Sequence, residues 1–272
     1  MAGVMGWPVA HSRSPIIHNY WINEYGLYGT YEHIPVEPQN IGIAFNKLRS
    51  DGYAGCNITL PHKVDAIKYM DWVAPLAQRI GAINTVVVQS DGALHGFNHD
   101  GFGYIESLRE ACPTWQANAG PVVVLGAGGA SRAIIVSLLD AGATEIRLLN
   151  RTKTKADDLA QEFGAAVRSF DWHDRNEALT NASLLVNTTS QGMQGQAELE
   201  IDLSQLPISA LVSDAIYIPL ETALLSSARQ RGNPTVNGLG MLLHQARPAF
   251  QAWFGIMPKV TPDLIKKITA TF

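Results

Sequence analysis

Cysteine is nearly absent: two thiols, Cys56 and Cys112, in 272 residues. They show neither CxxC spacing nor a nearby His/Cys cluster, which excludes a disulfide framework and a zinc site and leaves two reduced thiols. Charge is scarce as well. Asp, Glu, Lys and Arg make up 16% of the chain, against ~25% in typical globular proteins. Hydrophobic residues make up 46%, so a large core is available and disorder is excluded as the main character. There is no Lys/Arg block and the formal net charge is −4. The basic footprint that a phosphate backbone requires is therefore missing, which excludes nucleic acid as a partner. Long apolar runs are missing too: the uncharged stretch 111–131 carries two prolines and four glycines and is unsuited to span a bilayer. The opening MAGVMGWPVAHSRSP has no basic region followed by an apolar run, so a cytoplasmic protein without a membrane span is expected.

What is present is alternation. YEHIPV, IGIAFNKLRS, GCNIT, VDAIKYMDWVAPLAQRI and INTVVV switch between β-type and helical character, and a second series runs from VVVLG through IRLLN, AVRSF and LLVNTT to LVSDAIY. Such alternation predicts an α/β fold with a mostly parallel sheet, and two series predict two lobes. A helix over 100–111 precedes the small-residue segment CPTWQANAG, and the crossing is placed near that helix. The expected division is 1–101 completed by 239–272, with 102–238 as the second lobe. The opening strand looks short, so one edge of the first sheet is expected to be weakly supported.

The sharpest local signal is VVVLGAGGASRA, a strand running through glycines into a helix. Gly126 and Gly128 fit the first two positions of GxGxxG, where glycine permits a tight turn and close approach of backbone to a pyrophosphate; Ser131 takes the third. Phosphates would then meet the helix N-terminus. An ordinary strand-to-helix turn is the alternative. One strand later, NAD-binding proteins carry an acid for the ribose 2′-hydroxyl. This chain has Asn150, Arg151 and Thr152, then Lys153 and Lys155. A guanidinium binds a 2′-phosphate that a carboxylate would repel, so NADP is expected over NAD.

Three polar clusters lie in the first lobe. In HSRSP, Ser14 before Pro15 reads as a helix cap, which leaves Ser12 unexplained. NITLPHK places Lys63 in the first turn of a helix expected from about Pro61, where its charge opposes the dipole. A surface lysine and a functional one both fit. Asp100, before a helix, reads as a cap or as a functional acid.

These segments carry a resemblance. Through HSRSP, NITLPHK, GAINT, FNHDG, GAGGASRA, NRT, VNTTSQGM, DAIYIPLET and NGLGMLLHQA, in that order over nearly its whole length, the chain resembles the shikimate dehydrogenases. The resemblance implies a two-lobed α/β fold with an N-terminal substrate domain and a Rossmann-like NADP domain. It implies reversible NADPH-dependent reduction of 3-dehydroshikimate to shikimate, within aromatic amino acid biosynthesis, by a monomer or homodimer. Carried over by motif, Lys63 and Asp100 are expected as the catalytic pair, and Ser12, Ser14, Thr59, Asn84, Tyr217 and Gln245 as substrate ligands. Gly126, Ala127, Gly128, Gly129, Ala130, Asn150, Arg151, Thr152 and Lys155 match the NADP set, with Thr188 and Gly238 toward the nicotinamide; no metal is implied. His99 stands where the family usually has Thr, and Ala223 where Pro is common. The alternatives are a quinate/shikimate dehydrogenase with relaxed cofactor use, a non-catalytic NADP-binding regulator, and a one-carbon or imine reductase with a similar nucleotide lobe.

Overall fold

Short apolar strands and half-buried helices build two separate α/β units in the computed structural model, which describes residues 1–272. The first unit comprises 1–100 and 243–272; the second comprises 101–242.

In the first unit the strands are β1 (Ala2–Gly6), β2 (Tyr31–Pro35), β3 (Gly55–Ile58), β4 (Trp72–Val73), β5 (Thr85–Val88) and β6 (Leu94–Phe97), in sheet order β2-β1-β3-β5-β6-β4. Helices α1 (Ser14–Glu24), α2 (Ile41–Ser50) and α3 (Pro75–Ile80) lie between them in sequence. The sheet is mostly parallel with one strand reversed. β1 pairs parallel with β2 and β3, and β4 with β6, while β5 runs antiparallel to both β3 and β6. The opening strand departs from expectation. All five residues of β1 are buried and it sits between two partners, inside the sheet. VDAIKYMDWVAPLAQRI is not one helical segment: it breaks into a 3-10 turn over Asp65–Tyr69, β4 and the six-residue α3. Pro75 cannot donate to a continuing helix, and it opens α3 at a position where no donor is needed.

The second unit holds α4 (Asp100–Ala111) from its second residue on, then β7 (Val122–Leu125), α5 (Gly129–Asp140), β8 (Ile146–Leu149), α6 (Lys153–Phe163) and β9 (Val167–Phe170). β10 (Leu184–Asn187), β11 (Leu211–Asp214), α7 (Ala223–Arg231) and β12 (Thr235–Val236) follow. The order β12-β11-β10-β7-β8-β9 is parallel throughout, the doubly wound arrangement whose sequence reverses at the first strand. Its central strands β7, β10 and β11 are buried at every position because both faces are covered. Val122, Val124, Leu184 and Val186 pack with Ile134 and Leu138 of α5, while Val123, Leu125, Leu185 and Val212 pack with Leu224 and Leu225 of α7.

Helix α8 (Leu239–Phe254) starts in the second unit and continues in the first; α9 (Pro262–Thr269) ends the chain. The C-terminal segment is built into the first unit. Trp253 donates from its indole to the Val86 carbonyl at 3.0 Å, and this seat exists because residue 55 is glycine: at φ +153°, a Cβ there would lie 2.0 Å from that carbonyl oxygen. No helix is long and apolar enough to cross a membrane.

Candidate active site

The turn after β3 delivers Lys63. It is tied down by backbone bonds from Thr59 N–H to Met5 O (2.9 Å), from Trp7 N–H to Leu60 O (3.0 Å) and from Ile83 N–H to Lys63 O (2.8 Å). The buried His62 ring adds a bond from Nε2 to the Val36 carbonyl at 2.7 Å; a carbonyl only accepts, so Nε2 carries the proton. No helix starts at Pro61. Residues 60–64 form a turn and 3-10 structure begins at Asp65, so the position of Lys63 owes nothing to a helix dipole. Its carbonyl is used by Ile83, which fixes the loop without helical bonds.

Lys63 Nζ stands 2.5 Å from Asp100 Oδ2, with the side chains 15% and 5% exposed. Asp100 is the first residue of α4 rather than its cap; Asn98 Oδ1 accepts the Asp100 N–H at 3.0 Å. The other carboxylate oxygen of Asp100 accepts from Asn84 Nδ2 at 2.9 Å, and Asn84 Nδ2 also donates to Gln245 Oε1 at 3.2 Å. Four of the expected residues, from the turn after β3, the residue before β5, the start of α4 and α8, thus form one hydrogen-bonded group within the first unit. An ammonium held at a nearly buried carboxylate, flanked by two amides, is equipped to exchange a proton with a polyol oxygen while neighbouring hydroxyls are held.

Ser12 and Ser14 form a separate pair, Oγ to Oγ 3.3 Å. Ser14 does not cap α1: the helix opens at Ser14, the preceding Arg13 makes no side-chain cap, and it is the Ser12 hydroxyl that accepts the Ser14 N–H at 3.3 Å. The roles expected from sequence are exchanged, because an ST-type turn bonds two residues ahead. Thr59 is half-buried in the loop after β3. Tyr217 lies in the second unit, half-buried in the loop that follows β11.

In the second unit the glycine turn behaves as its spacing implies. Gly126 has φ +109°, and a Cβ would lie 2.6 Å from Thr188 Oγ1, so only glycine fits. At Gly128 a Cβ would meet nothing within 4 Å, which leaves the backbone open to an incoming group. Thr188 donates to the Leu125 carbonyl (2.7 Å), so the 2.6 Å contact between Ser131 and Thr188 is a Ser131 donation, and Ser131 Oγ in turn accepts the Gly128 N–H at 3.1 Å. Ser131 at the third fingerprint position therefore bolts the turn to the loop after β10. Gly129 and Ala130 supply first-turn N–H groups of α5, which a helix leaves unpaired. Asn150 donates to the Thr152 carbonyl at 2.9 Å. Arg151 and Lys155, with Gly126, Ala127, Gly128 and Thr188, line a cavity of about 390 Å³. Neither Arg151 nor Lys155 forms an ion pair within the chain, whereas Lys153 is consumed by Asp157 and Ser169. Gly238 stands apart from this cavity; a Cβ there would lie 2.1 Å from the Ala215 carbonyl, so glycine is required by the loop after β11.

Sequence reasoning missed the polar residues behind Asn84. Tyr31 O–H donates to Asn57 Oδ1 (2.7 Å), Asn57 Nδ2 donates to Asn84 O (3.0 Å) and Thr85 Oγ1 (3.2 Å), and Thr85 Oγ1 contacts His99 Nδ1 at 3.1 Å. The available signal was polar Asn57 and Thr85 inside otherwise apolar strands.

A doubly wound parallel unit with a phosphate-accommodating turn, together with a mixed α/β unit holding a lysine–carboxylate pair, defines a nucleotide-dependent two-domain oxidoreductase class. Residues 4–86 match the family model for the shikimate dehydrogenase substrate binding domain, 110–195 that for shikimate/quinate 5-dehydrogenase, and 238–262 that for the shikimate 5'-dehydrogenase C-terminal domain. The chain belongs to the shikimate dehydrogenase family. It is 49% identical to a shikimate dehydrogenase (NADP(+)) of Paramagnetospirillum magneticum, over 97% of this chain and 96% of that protein. Among solved structures it is similar to shikimate 5-dehydrogenase of Thermus thermophilus in complex with NADP(H) and shikimate (37% identity, TM-score 0.87, 99% of this chain and 98% of the other). It is also similar to quinate dehydrogenase of Corynebacterium glutamicum in complex with NAD (28% identity, TM-score 0.90, 99% and 97%).

Proposed function

We propose that the protein catalyses the reversible NADP(H)-dependent interconversion of 3-dehydroshikimate and shikimate in the cytoplasm. The observation that carries this reading is the Lys63–Asp100 pair with Asn84 and Gln245 bonded around it. Two unpaired thiols suit a reducing compartment.

NADP fits the second unit on two counts: the open backbone at Gly128, and the cations Arg151 and Lys155 left without carboxylate partners where an NAD enzyme would carry an acid. Arg151, Lys155, Asn150 and Thr152 would hold the 2′-phosphoribose, Gly126 to Ala130 the pyrophosphate, and Thr188 and Gly238 the nicotinamide end. When bound, the nicotinamide supplies or receives the hydride. Lys63 gives a proton to the ketone oxygen during reduction and takes it back from the hydroxyl during oxidation. Asp100 holds the ammonium at that oxygen and offsets its charge. Asn84, Gln245 and Thr59 orient the ring hydroxyls, Ser12 and Ser14 receive the carboxylate, and Tyr217 is a further substrate ligand.

The test is NADP+ reduction with shikimate, with quinate and without substrate, repeated with NAD+. Shikimate with NADP+ is expected to give the highest kcat/KM. A quinate rate equal to the shikimate rate favours the quinate/shikimate reading, and no rate with either acid overturns both.

A further inference from the structure

The polarity of the hydrogen bonds behind Asn84 is fixed by main-chain groups that have no choice of role. The His99 backbone N–H donates to Asn84 Oδ1 at 2.9 Å, and an N–H has nothing to accept with. Asn84 Oδ1 is therefore the oxygen, and flipping the amide would set oxygen against the Asp100 carboxylate, 2.9 Å away. The Thr85 hydroxyl lies 2.8 Å from the same Oδ1, so it must donate there. Its single proton is then spent. At the far end Asn57 Nδ2 is fixed as a donor by the Asn84 main-chain carbonyl, and its second N–H goes to Thr85 Oγ1. Thr85 Oγ1 has one lone pair left, and His99 Nδ1 faces it at 3.1 Å.

We infer that His99 is a positioning residue for the reaction: with its proton on Nδ1 it donates to Thr85, commits the Thr85 hydroxyl to Asn84, and so aims the Asn84 amide at Asp100 and Gln245. The inference rests on the reading of Asn84, Asp100 and Lys63 as the substrate machinery. Burial lowers the His99 pKa to about 4, with the nearby Asp100 charge raising it in part. The ring is thus uncharged at neutral pH, and a proton on Nδ1 leaves Nε2 bare. The ring is steadied by stacking on Phe97, centroids 6.0 Å apart and planes 13° apart. Without the Nδ1 donor, the Thr85 hydroxyl would be free to turn away, and Asn84 would keep only the His99 main-chain N–H to hold its oxygen.

Two variants separate the hydrogen bond from the packing. His99→Phe keeps a ring over Phe97 and removes the donor; His99→Asn places an amide N–H where Nδ1 stood. The expected result is a fall of about tenfold in kcat/KM for shikimate in His99→Phe, as for one lost buried hydrogen bond, and recovery to within about threefold in His99→Asn. NADP+ affinity, measured by fluorescence titration, is expected to stay put in both. Independently of any variant's folding, long-range 15N correlation spectra of the wild-type protein at neutral pH are expected to show the Nδ1–H tautomer. An Nε2–H tautomer overturns the proposal, as does a fully active His99→Phe. Asn84→Ala is the control: if it too is fully active, the reading of the site fails, whereas an inactive Asn84→Ala beside an active His99→Phe removes only His99.

Discussion

Replacing Asp100 by Asn tests the centre of the site with a change of one atom. The carboxylate serves two donors at once, Lys63 Nζ at 2.5 Å on Oδ2 and Asn84 Nδ2 at 2.9 Å on Oδ1, with the side chain 5% exposed. An asparagine offers one oxygen and one amino group to those two positions. If the oxygen faces Lys63, two amino groups meet at Asn84, which must rotate and give up its bond to Gln245. If the oxygen faces Asn84, the ammonium meets an N–H and loses its anchor. Either way one charge-assisted bond goes, worth about 1.5–3 kcal/mol, and at ~1.4 kcal/mol per tenfold the rate falls roughly ten- to hundredfold. Lys63→Ala is expected to lose about 10²–10⁴ in turnover while shikimate still binds. The assay is steady-state shikimate oxidation with NADP+, followed by NADPH absorbance, for each single variant and the double one. Residues that act as a unit are not additive, so the double variant should resemble Lys63→Ala. Losses that multiply, or an Asp100→Asn enzyme within about threefold of wild type, would refute the reasoning and leave Asp100 as the first residue of α4 and nothing more.

Arg151→Ala should weaken NADP+ about ten- to a hundredfold and leave NAD+ binding almost unchanged; equal losses in a titration with both would dismiss its contact with the 2′-phosphate. Shikimate should be preferred over quinate about five- to a hundredfold in kcat/KM, since quinate's tetrahedral carboxyl-bearing carbon either misaligns the Ser12/Ser14 bonds or buries a hydroxyl without a partner. Ser14→Gly should narrow that ratio with little loss of melting temperature, because Ser14 caps nothing; an unchanged ratio speaks against the pair. The last concerns pH. His18 is wholly buried, stacked on Tyr31 with centroids 4.1 Å apart, and neither ring nitrogen has a hydrogen-bond partner. Burial lowers its pKa to about 3, offset in part by Asn57 through a contact short of hydrogen-bonding geometry. The unfolded chain takes up the proton near 6.5 and the native one does not, so stability is whole above that pH and declines from there toward 3, by up to about 1.4 kcal/mol per pH unit. His18→Phe should flatten the acid limb of a melting-temperature profile; an unchanged limb places the acid sensitivity elsewhere.

The second unit was legible because its physics is local. The central strand VVVL is buried on both faces and apolar without interruption, and GAGGAS announces a turn that only glycine at 126 accommodates. The first unit hides more. Its antiparallel pair β5–β6 is closed by Gln89 N–H to Ala93 O across an Asp-Gly turn, a hairpin signal present in QSDGA and outweighed by the surrounding α/β alternation. Lys63 was found through its motif, but the helix supposed to carry it is a turn pinned by β1 and by Ile83. The network behind Asn84 left least trace, since its bonds join residues 26 and 28 positions apart, and no pattern of spacing along a chain encodes a contact that the sheet order creates.

The chain order has a bearing on synthesis. Residues 243–272 belong to the unit that the first 100 begin, and they bring Trp253 to the Val86 carbonyl, Phe250 to the His18 ring and Gln245 to Asn84. Because chains fold domain by domain as they leave the ribosome, the nucleotide unit is complete while its companion still waits for its last helices. A message truncated after residue 242 would encode every residue of the glycine turn and its cations, yet no Gln245 and no aromatic lid over His18. The unit begun first along the chain is thus closed only after the whole of the second has been made.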